Sequence, residues 1–327
     1  MSRVSDEFAH QPVMVHEIVD LVAPVPPGVV LDATVGGGGH AAAILAAHPH
    51  LSVVGVDQDP AAVAAAVARL APFGPRARLI RARFDHLDAV LADLGVGALS
   101  GALFDLGVSS PQLDRAGRGF SYRAEGPLDM RMDPDATRSA ADVVNASTRD
   151  ELAALFAANG EGRFARRIAG AVVAARPITT TTQFAEVVRD AIPAATRRHG
   201  GHPARRVFQA VRIAVNEELD VLPAALGAAL ERLVGRGRLL VLAYHSGEDR
   251  IVKVAFRQAE TGGCVCPSGL PCVCGAQRSV RLVRRGALKP GAEEVAGNRR
   301  AESARLRVAE RLADGPGHDG PGHGGKP

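Results

Sequence analysis

A run of glycines with an acid on either side is the first feature of this chain that could do chemistry. Asp32 ends an aliphatic run and is followed by four consecutive glycines at 36–39 and by His40. A glycine-rich turn after a buried strand lets the backbone approach a ligand, and the next helix offers free amides at its N-terminus. Asp57 ends the next aliphatic run, where a carboxylate can hydrogen-bond the ribose hydroxyls of an adenosine cofactor. The spacing predicts an adenosine-type site, with a plain strand-to-helix turn as the alternative.

The carboxylate of Asp32 bears on which adenosine cofactor binds. It would repel the pyrophosphate of a nicotinamide dinucleotide, whereas it would attract the ammonium and sulfonium groups of S-adenosylmethionine. The loop also departs from the Gly-x-Gly-x-x-Gly pattern of dinucleotide sites, because His40 stands at the last position. Asp32 therefore favours S-adenosylmethionine as the cofactor, and an NAD-dependent oxidoreductase is the alternative enzyme.

A third acid, Asp105, ends a further aliphatic run and precedes a polar turn that contains Ser109 and Ser110. In doubly wound sheets the carboxyl ends of the strands line the ligand crevice. These three residues are therefore predicted to face the reaction centre. A serine-rich connecting turn is the alternative.

The elements that must position these residues alternate between strand and helix in the first third of the chain. Short aliphatic runs predict strands at 29–31, 51–56, 78–84 and 101–104, and the stretches between them predict helices at 39–47, 60–70 and 87–94. Asp59 followed by Pro60 is a typical helix start. This alternation is typical of an α/β fold with a parallel sheet.

Beyond about residue 114 the pattern changes to helical periodicity without strands. Apolar residues recur at three- and four-residue spacing over 149–158, 163–176, 182–191 and 205–219, before a strand at 237–244 and a helix at 248–259. We expect a helical substrate-recognition domain at 116–218, inserted in a discontinuous α/β domain of residues 1–115 and 219–314. The Gly-, Pro- and His-rich stretch 315–327 is predicted to be a disordered tail.

Positive charge is concentrated in two stretches although the net charge is only +4. Residues 163–212 carry ten arginines against two acids, and residues 278–311 carry nine arginines and one lysine against four glutamates, which are local excesses of +8 and +6. Such asymmetry is typical of a protein that holds a polyanion. It favours a nucleic-acid partner over the alternative of solvated helix faces.

The remaining composition is that of an ordinary globular protein. No apolar run approaches the roughly 20 residues of a membrane span, so we expect no membrane association. The N-terminus lacks the apolar run of a secretory signal, which predicts a cytoplasmic location. The four cysteines, arranged as two C-x-C pairs within 264–274, are then expected to be reduced loop residues that bind no metal. A tetrathiolate zinc site is the alternative.

Seven stretches match a known family in order along nearly the whole chain. The chain resembles the ribosomal RNA small subunit methyltransferase H family in 32–40, Asp-Leu-Gly-Val-Ser-Ser-Pro-Gln-Leu-Asp at 105–114, Arg-Gly-Phe-Ser at 118–121, Gly-Pro-Leu-Asp-Met-Arg-Met-Asp at 126–133, His-Pro-Ala at 202–204, Phe-Gln-Ala-Val-Arg-Ile at 208–213, and His-Ser with Glu-Asp-Arg-Ile-Val-Lys in 245–253. The resemblance implies a class I, Rossmann-like methyltransferase domain with an inserted helical domain. It also implies S-adenosylmethionine-dependent N4-methylation of cytidine 1402, at the ribosomal P site, in the 16S RNA of the small ribosomal subunit.

The same resemblance implies a set of donor contacts. They are Gly38, Gly39, His40, Asp57, Phe84, Asp105 and Gln112. Phe84 is expected to end the third strand, where its ring could pack on adenine, with an ordinary core position as the alternative. An RNA-binding assembly factor with a vestigial donor pocket is the non-catalytic alternative. The sequence is compatible with a monomer or a homodimer.

The acceptor half of the site needs groups that orient and stack a base. The exocyclic amine of cytosine is a poor nucleophile, so an acceptor that aligns it with the sulfonium methyl would help. Asp105, Ser109 and Ser110 are the catalytic candidates. A base splayed out of RNA needs stacking partners, for which Phe120 and Tyr122 are candidates. The remaining substrate-binding candidates, all within the matching stretches, are Asp129, Arg131, His245 and Arg250.

The chain departs from the family pattern at four positions. Tyr244 and Gly247 stand where the family usually has Phe and Leu, and Arg299 and Glu302 replace the usual Pro and Arg. Glu302 reverses a charge, which weakens the case for an RNA contact near the C-terminus. The donor residues are unaffected.

Overall fold

Contacts divide the described part of the chain into two compact units. The computed structural model describes residues 12–194, 202–267 and 272–313. One unit, here called the sheet unit, comprises residues 12–107 and 221–313, and the other, the helical unit, comprises residues 108–220. The boundaries fall at 107/108 and 220/221, against 115/116 and 218/219 expected from the sequence. The predicted tail at 315–327 lies outside the described residues.

The sheet unit is built on seven strands in the order β3-β2-β1-β4-β5-β7-β6. The strands are β1 (Gly28–Asp32), β2 (Leu51–Asp57), β3 (Ala77–Arg81), β4 (Leu99–Asp105), β5 (Leu233–Ala243), β6 (Val280–Leu282) and β7 (Arg305–Arg311). Neighbours from β3 to β5 are parallel, and β7 pairs antiparallel with both β5 and β6. The strand order reverses between β1 and β4, which is where ligand crevices open in such sheets.

The structure corrects the sequence prediction at one strand end and adds two strands. β3 ends at Arg81, and Phe84 instead begins a 3-10 turn at Phe84–His86. The turn is fixed by Arg83, whose guanidinium donates to the two carboxylate oxygens of Asp85 at 2.8 and 2.6 Å. β6 and β7 were missed because their arginines read as a basic surface stretch rather than as strand.

The α-helices, in chain order, are α1 (Val15–Val22), α2 (Gly39–Ala47), α3 (Pro60–Leu70), α4 (Leu87–Asp93), α5 (Ser110–Asp114), α6 (Ala140–Ala146), α7 (Arg149–Ala158), α8 (Ala165–Ala174), α9 (Thr181–Ala191), α10 (Ala204–Asn216), α11 (Glu218–Arg232), α12 (Ser246–Thr261) and α13 (Ala292–Gly297). The predicted start of α3 is confirmed, since Asp59 accepts a hydrogen bond from the Ala61 N–H at 3.0 Å. Within the described ranges, no helix has both the length and the apolar character needed to cross a bilayer.

Apolar side chains cover both faces of the sheet. Successive residues of a strand pack into different clusters: Val30 and Leu103 belong to one, and Leu31 and Phe104 to the other. All four are at most 1% exposed. Burial on both faces explains why the central strands read as continuous aliphatic runs.

The helical unit has its own core. Phe156, Ile168, Phe184 and Phe208 pack together with side chains from α6 to α10, and each is at most 3% exposed. The apolar residues recur at the three- and four-residue spacing from which α7 to α10 were predicted.

A long loop between α5 and α6 requires glycine at two positions. Gly119 has φ 74°, and a Cβ there would lie 2.3 Å from the Pro127 carbonyl oxygen. A Cβ on Gly126 would lie 1.9 Å from the carbonyl oxygen of Ala116. Asn216 fixes the far side of the loop, because its amide accepts from the Met132 N–H and donates to the Met130 carbonyl, both at 2.8 Å.

The loop geometry predicts that Gly119→Ala destabilises the protein whereas Gly117→Ala does not. The first substitution forces a left-handed conformation and a backbone clash, which should lower the free energy of unfolding by about 2 kcal/mol or more. Gly117, two residues earlier, is the matched control, because a Cβ there would point into open space, with only its chain neighbours within 4 Å. Urea unfolding followed by circular dichroism measures both. Equal stability of the two variants would contradict this account of the loop.

Candidate functional site

Three acids lie at the carboxyl ends of adjacent parallel strands. Asp32 ends β1, Asp57 ends β2 and Asp105 ends β4. β1 lies between the other two strands, with Asp32 opposite Gly55 on one side and Leu103 on the other. The topology therefore brings the three predicted acids to one edge of the sheet.

Asp57 is held by backbone amides. The Gly36 N–H donates to its Oδ2 and the Asp59 N–H to its Oδ1, both at 2.9 Å. The Gln58 amide also hydrogen-bonds this carboxylate. Burial raises the pKa of Asp57 from 3.8 to about 6, although the backbone hydrogen bonds act to lower it. Asp57 is thus a fixed acceptor that is ionised at neutral pH.

Asp32 is the most deeply buried of the three acids, with 1% of its surface exposed. The Thr34 N–H donates to its Oδ1 at 3.3 Å. Burial, and to a smaller degree the charges of Asp105 and Asp57, raise the pKa of Asp32 from 3.8 to about 8. A cation bound nearby would favour the ionised form of Asp32. A buried acid whose pKa is shifted this far is typical of functional sites.

Asp105 is held by groups from three other segments. Its backbone N–H donates to the Thr34 hydroxyl at 2.6 Å, and the Tyr244 hydroxyl donates to its Oδ1 at 2.7 Å. His40 Nδ1 lies 3.6 Å from Oδ2, while His40 Nε2 donates to the Val13 carbonyl at 2.9 Å. Burial and the charge of Asp105 raise the pKa of Tyr244 well above its ordinary value. Sequence reasoning missed Tyr244 as a partner, because 139 residues separate it from Asp105.

The glycine loop positions the start of α2. Gly38 caps this helix in the left-handed region with φ 76°, and a Cβ on Gly39 would lie 2.4 Å from the Pro12 Cγ. Larger residues at either position would strain the loop. The two glycines therefore let His40 reach Asp105.

Phe84 packs in the sheet core. It is half-buried and meets Phe104 edge to face, with ring centroids 5.9 Å apart. This contact supports the core alternative for Phe84, and a contact with adenine stays a prediction.

His245 and Glu248 form the start of α12. His245 Nδ1 accepts from the Gly247 N–H at 3.1 Å, and the Glu248 carboxylate accepts from the Tyr244 N–H at 2.7 Å. His245 Nε2 lies 3.0 Å from Glu248 Oε1, at an angle too poor for a hydrogen bond. His245, predicted to bind substrate, therefore has a capping role here, whereas Arg250 is exposed on α12.

In the helical unit, Ser109 and Gln112 cap the short helix α5. The Ser109 N–H donates to the Gln112 side-chain oxygen at 2.9 Å, and Gln112 is 5% exposed. Ser109 and Ser110 are both half-buried. The capping bond supplies a structural role for Gln112, whose donor contact stays a prediction.

The two rings predicted to stack on a base differ in burial. Phe120 is 6% exposed and belongs to the core of the helical unit, which argues against base stacking. Tyr122 is half-buried, stacks on the His202 ring with centroids 4.5 Å apart, and meets Phe208 edge to face at 5.6 Å. Burial and nearby arginine charges lower the pKa of His202.

Asp129 and Arg131 pair with each other. Arg131 Nε and Nη2 donate to the two carboxylate oxygens at 2.9 and 2.7 Å, and Nη1 donates to the Ala136 carbonyl at 2.8 Å. Burial alone would raise the pKa of Asp129, but the hydrogen bonds and charge of Arg131 hold it below its ordinary value. Both side chains are 27% exposed, so the pair is accessible at its edge.

Comparison with known proteins identifies the family. A sequence model of the MraW methylase family matches residues 7–312. The chain belongs to this family. Relatives named ribosomal RNA small subunit methyltransferase H include one from Heliobacterium modesticaldum, 49% identical over 314 residues and covering 93% of this chain and 99% of the relative. Another, from Thermobifida fusca, is 51% identical over 319 residues and covers 95% and 96%.

Membership in the methylase family confirms several expectations. The family resemblance seen in the sequence is confirmed, as is the cofactor, S-adenosylmethionine. Together with the observed strand order, it confirms the class I, Rossmann-like α/β fold. The NAD-dependent oxidoreductase is therefore rejected.

The two basic stretches of this methylase differ in how their charge is used. Among the described residues of the first stretch, the exposed arginines are Arg163, Arg166, Arg167, Arg205 and Arg206. In the second stretch, Arg281 pairs with Glu310 at 2.6 Å, and Arg305 and Arg307 pair with Asp249 at 3.3 and 2.8 Å. Part of the positive charge near the C-terminus is therefore paired with carboxylates of the sheet unit.

The burial of Asp32 predicts that Asp32→Asn stabilises the donor-free protein at alkaline pH. The folded protein keeps a proton on Asp32 up to about pH 8, whereas the unfolded chain loses it near pH 3.8, so ionisation opposes folding increasingly as the pH rises between these values. Asparagine cannot ionise and still accepts from the Thr34 N–H. We expect the variant to exceed the wild type by about 1 kcal/mol or more in unfolding free energy at alkaline pH.

Chemical denaturation at a series of pH values tests this expectation. The stability gap between Asp32→Asn and the wild type should widen from pH 5 to 8.5. Asp20→Asn, on the exposed face of α1, is the control and should show no such gap. A gap that does not depend on pH would contradict the raised pKa of Asp32.

Proposed function

We propose that this protein transfers the methyl group of S-adenosylmethionine to N4 of cytidine 1402 in the 16S RNA of the small ribosomal subunit. The observation that carries the donor half is the cluster of three carboxylates at adjacent strand ends. The acceptor half is supported by relatives of 49% and 51% identity that are named ribosomal RNA small subunit methyltransferase H. The exposed arginines of the helical unit also support an RNA substrate.

The carboxylate cluster suits a cationic donor. Bound S-adenosylmethionine supplies a methyl group activated by a positively charged sulfur. Asp57, fixed by the amides of Gly36 and Asp59, would accept hydrogen bonds from two ribose hydroxyls. Asp32 and Asp105 would place negative charge near the ammonium and the sulfonium, in a setting where burial strengthens the attraction.

Asp105 is the residue we assign to the acceptor amine. Its side chain is 26% exposed, and the Tyr244 hydroxyl orients the carboxylate by donating to Oδ1. The carboxylate would accept from the cytosine amine and hold its nitrogen in line with the methyl group. Oδ2 could then take the proton that leaves N4 after transfer. Ser109 and Ser110, four and five residues further along the chain, are the second candidates.

The RNA would be held chiefly by the helical unit. Arg166 and Arg167 are adjacent and exposed on α8. Arg206 at the start of α10 lies 3.8 Å from Glu161, which brings that helix beside the segment leading into α8. These exposed arginines are the candidates for phosphate contacts on the helical unit. Of the two rings predicted to stack on a base, Tyr122 is the one that is partly exposed, and it stacks on His202.

Methyl transfer is tested on small subunits from cells that lack the enzyme. They are incubated with the full chain and labelled S-adenosylmethionine, and the RNA is digested and analysed by mass spectrometry. We expect N4-methylcytidine at position 1402, absent without enzyme. Its absence would reject the activity and favour an assembly factor with a vestigial donor pocket. Methylation at another position would reject the assigned target.

A companion variant separates donor binding from subunit binding. Asp57→Asn should weaken S-adenosylmethionine binding by about tenfold or more, because a charged acceptor is lost. Binding to the small subunit should persist. Asp93→Asn, exposed at the end of α4, is the matched control. Equal loss of both kinds of binding would indicate misfolding or a wrong site.

The exposed arginines of α8 predict that the double substitution Arg166→Ala and Arg167→Ala weakens RNA binding and reduces the dependence of the affinity on salt. Loss of two phosphate contacts should reduce the slope of log affinity against log salt concentration by about 1.5. The same double substitution at Arg284 and Arg285, exposed in the second basic stretch, removes equal charge and is the control. Filter binding at several salt concentrations measures both. Equal effects in the two variants would contradict a specific role of the α8 arginines in RNA binding.

A further inference from the structure

The loop between α12 and β6 gathers all four cysteines of the protein. Cys264, Cys266, Cys272 and Cys274 are free thiols, and their Sγ atoms all lie within 4.8 Å of one another. The Sγ atom of Cys272 is 3.5 Å from those of Cys264 and Cys274, which are themselves 3.6 Å apart. The sequence predicted reduced loop cysteines that bind no metal, and the structure brings their four sulfur atoms together.

These spacings match one tetrahedral ion better than a disulfide. A disulfide brings two sulfur atoms to about 2.05 Å. Four thiolates around zinc, each at about 2.3 Å in tetrahedral geometry, stand about 3.8 Å apart. The separations of 3.5 and 3.6 Å are close to that value. An iron–sulfur cluster would space the thiolates farther apart, because its own iron and sulfide atoms lie between them.

A backbone amide points at the sulfur cluster. The Val273 N–H donates to Cys266 Sγ at 3.4 Å. Amide donors of this kind orient metal-bound thiolates and offset their negative charge.

The ends of the loop are pinned, but its described tip has no apolar core. The Ser279 N–H donates to the Ala259 carbonyl at 3.0 Å, and Arg278 Nε donates to the Glu260 carbonyl at 2.9 Å. At the tip, Val265 and Val273 are 86% and 88% exposed. A small loop that buries so little apolar surface typically needs a cross-link or a metal to keep one conformation.

We propose that Cys264, Cys266, Cys272 and Cys274 bind one zinc ion as a tetrathiolate site. Four protein ligands fill the tetrahedral coordination and leave no open position, so the ion is structural and takes no part in methyl transfer. Its role is to hold the loop that joins α12 to the outer strands β6 and β7. The assignment replaces the expectation, drawn from the sequence, that these cysteines bind no metal.

Metal analysis of the full chain tests the proposal. Protein expressed with added zinc and purified without chelators should carry about one zinc per chain by mass spectrometry. Cys272→Ser combined with Cys274→Ser should remove the zinc, and Val273→Ser, which lies between these two cysteines and keeps all four, should retain it. Zinc that persists in the double variant would overturn the assignment. So would a wild-type protein that carries no zinc and does not take it up after reduction.

Cobalt substitution keeps the test decisive if the double variant fails to fold. Wild-type protein stripped of metal and titrated with Co²⁺ should develop the visible absorption of tetrahedral cobalt and the charge-transfer bands of four thiolates. Added Zn²⁺ should then displace the cobalt and abolish the colour. Thiol titration of the metal-free, unreduced protein should find four free thiols. Octahedral cobalt spectra, or a thiol count lowered by disulfides in the purified protein, would overturn the proposal.

Discussion

The burial of acidic side chains at one edge of a parallel sheet is the constraint on which the rest of the structure depends. Asp32 and Asp57 are held where water is largely excluded, and the pKa of each is raised as a result. The cost is offset locally by amides from the glycine loop, by the Asp59 N–H and by the Thr34 N–H. A bound cationic donor would lower the cost of ionising these buried acids further. The donor-free protein is therefore less stable than it would be without them, and the acids serve donor binding.

The sheet that carries these acids is rigid because apolar side chains cover both of its faces. Its outer part depends on ion pairs as well, since Glu310 on β7 accepts from Arg238 on β5 and Arg281 on β6. Asp249 on α12 joins the same strand through Arg307. Some of the charge that looks available for RNA in the sequence thus pairs with carboxylates of the sheet unit.

Much of the fold was predictable because its signals are local. The helices α2 and α3 and the strands β1, β2 and β4 follow from runs of apolar residues and from the Asp59-Pro60 start. β7 was missed because its alternating arginines find partners on other elements, which periodicity does not reveal. Phe120 was assigned to RNA from its motif, although its ring is needed in the core of the helical unit.

The sequence by itself determined which acids stand at strand ends, because each ends an aliphatic run and parallel strands align their carboxyl ends at one edge. It also favoured a cationic cofactor, through the carboxylate of Asp32, and indicated the family, through motifs in order along the chain. Only the tertiary structure decided that Tyr244 holds Asp105, that His245 caps a helix and that four cysteine sulfurs converge. These contacts depend on how chain closure and close packing orient side chains, which local patterns do not encode.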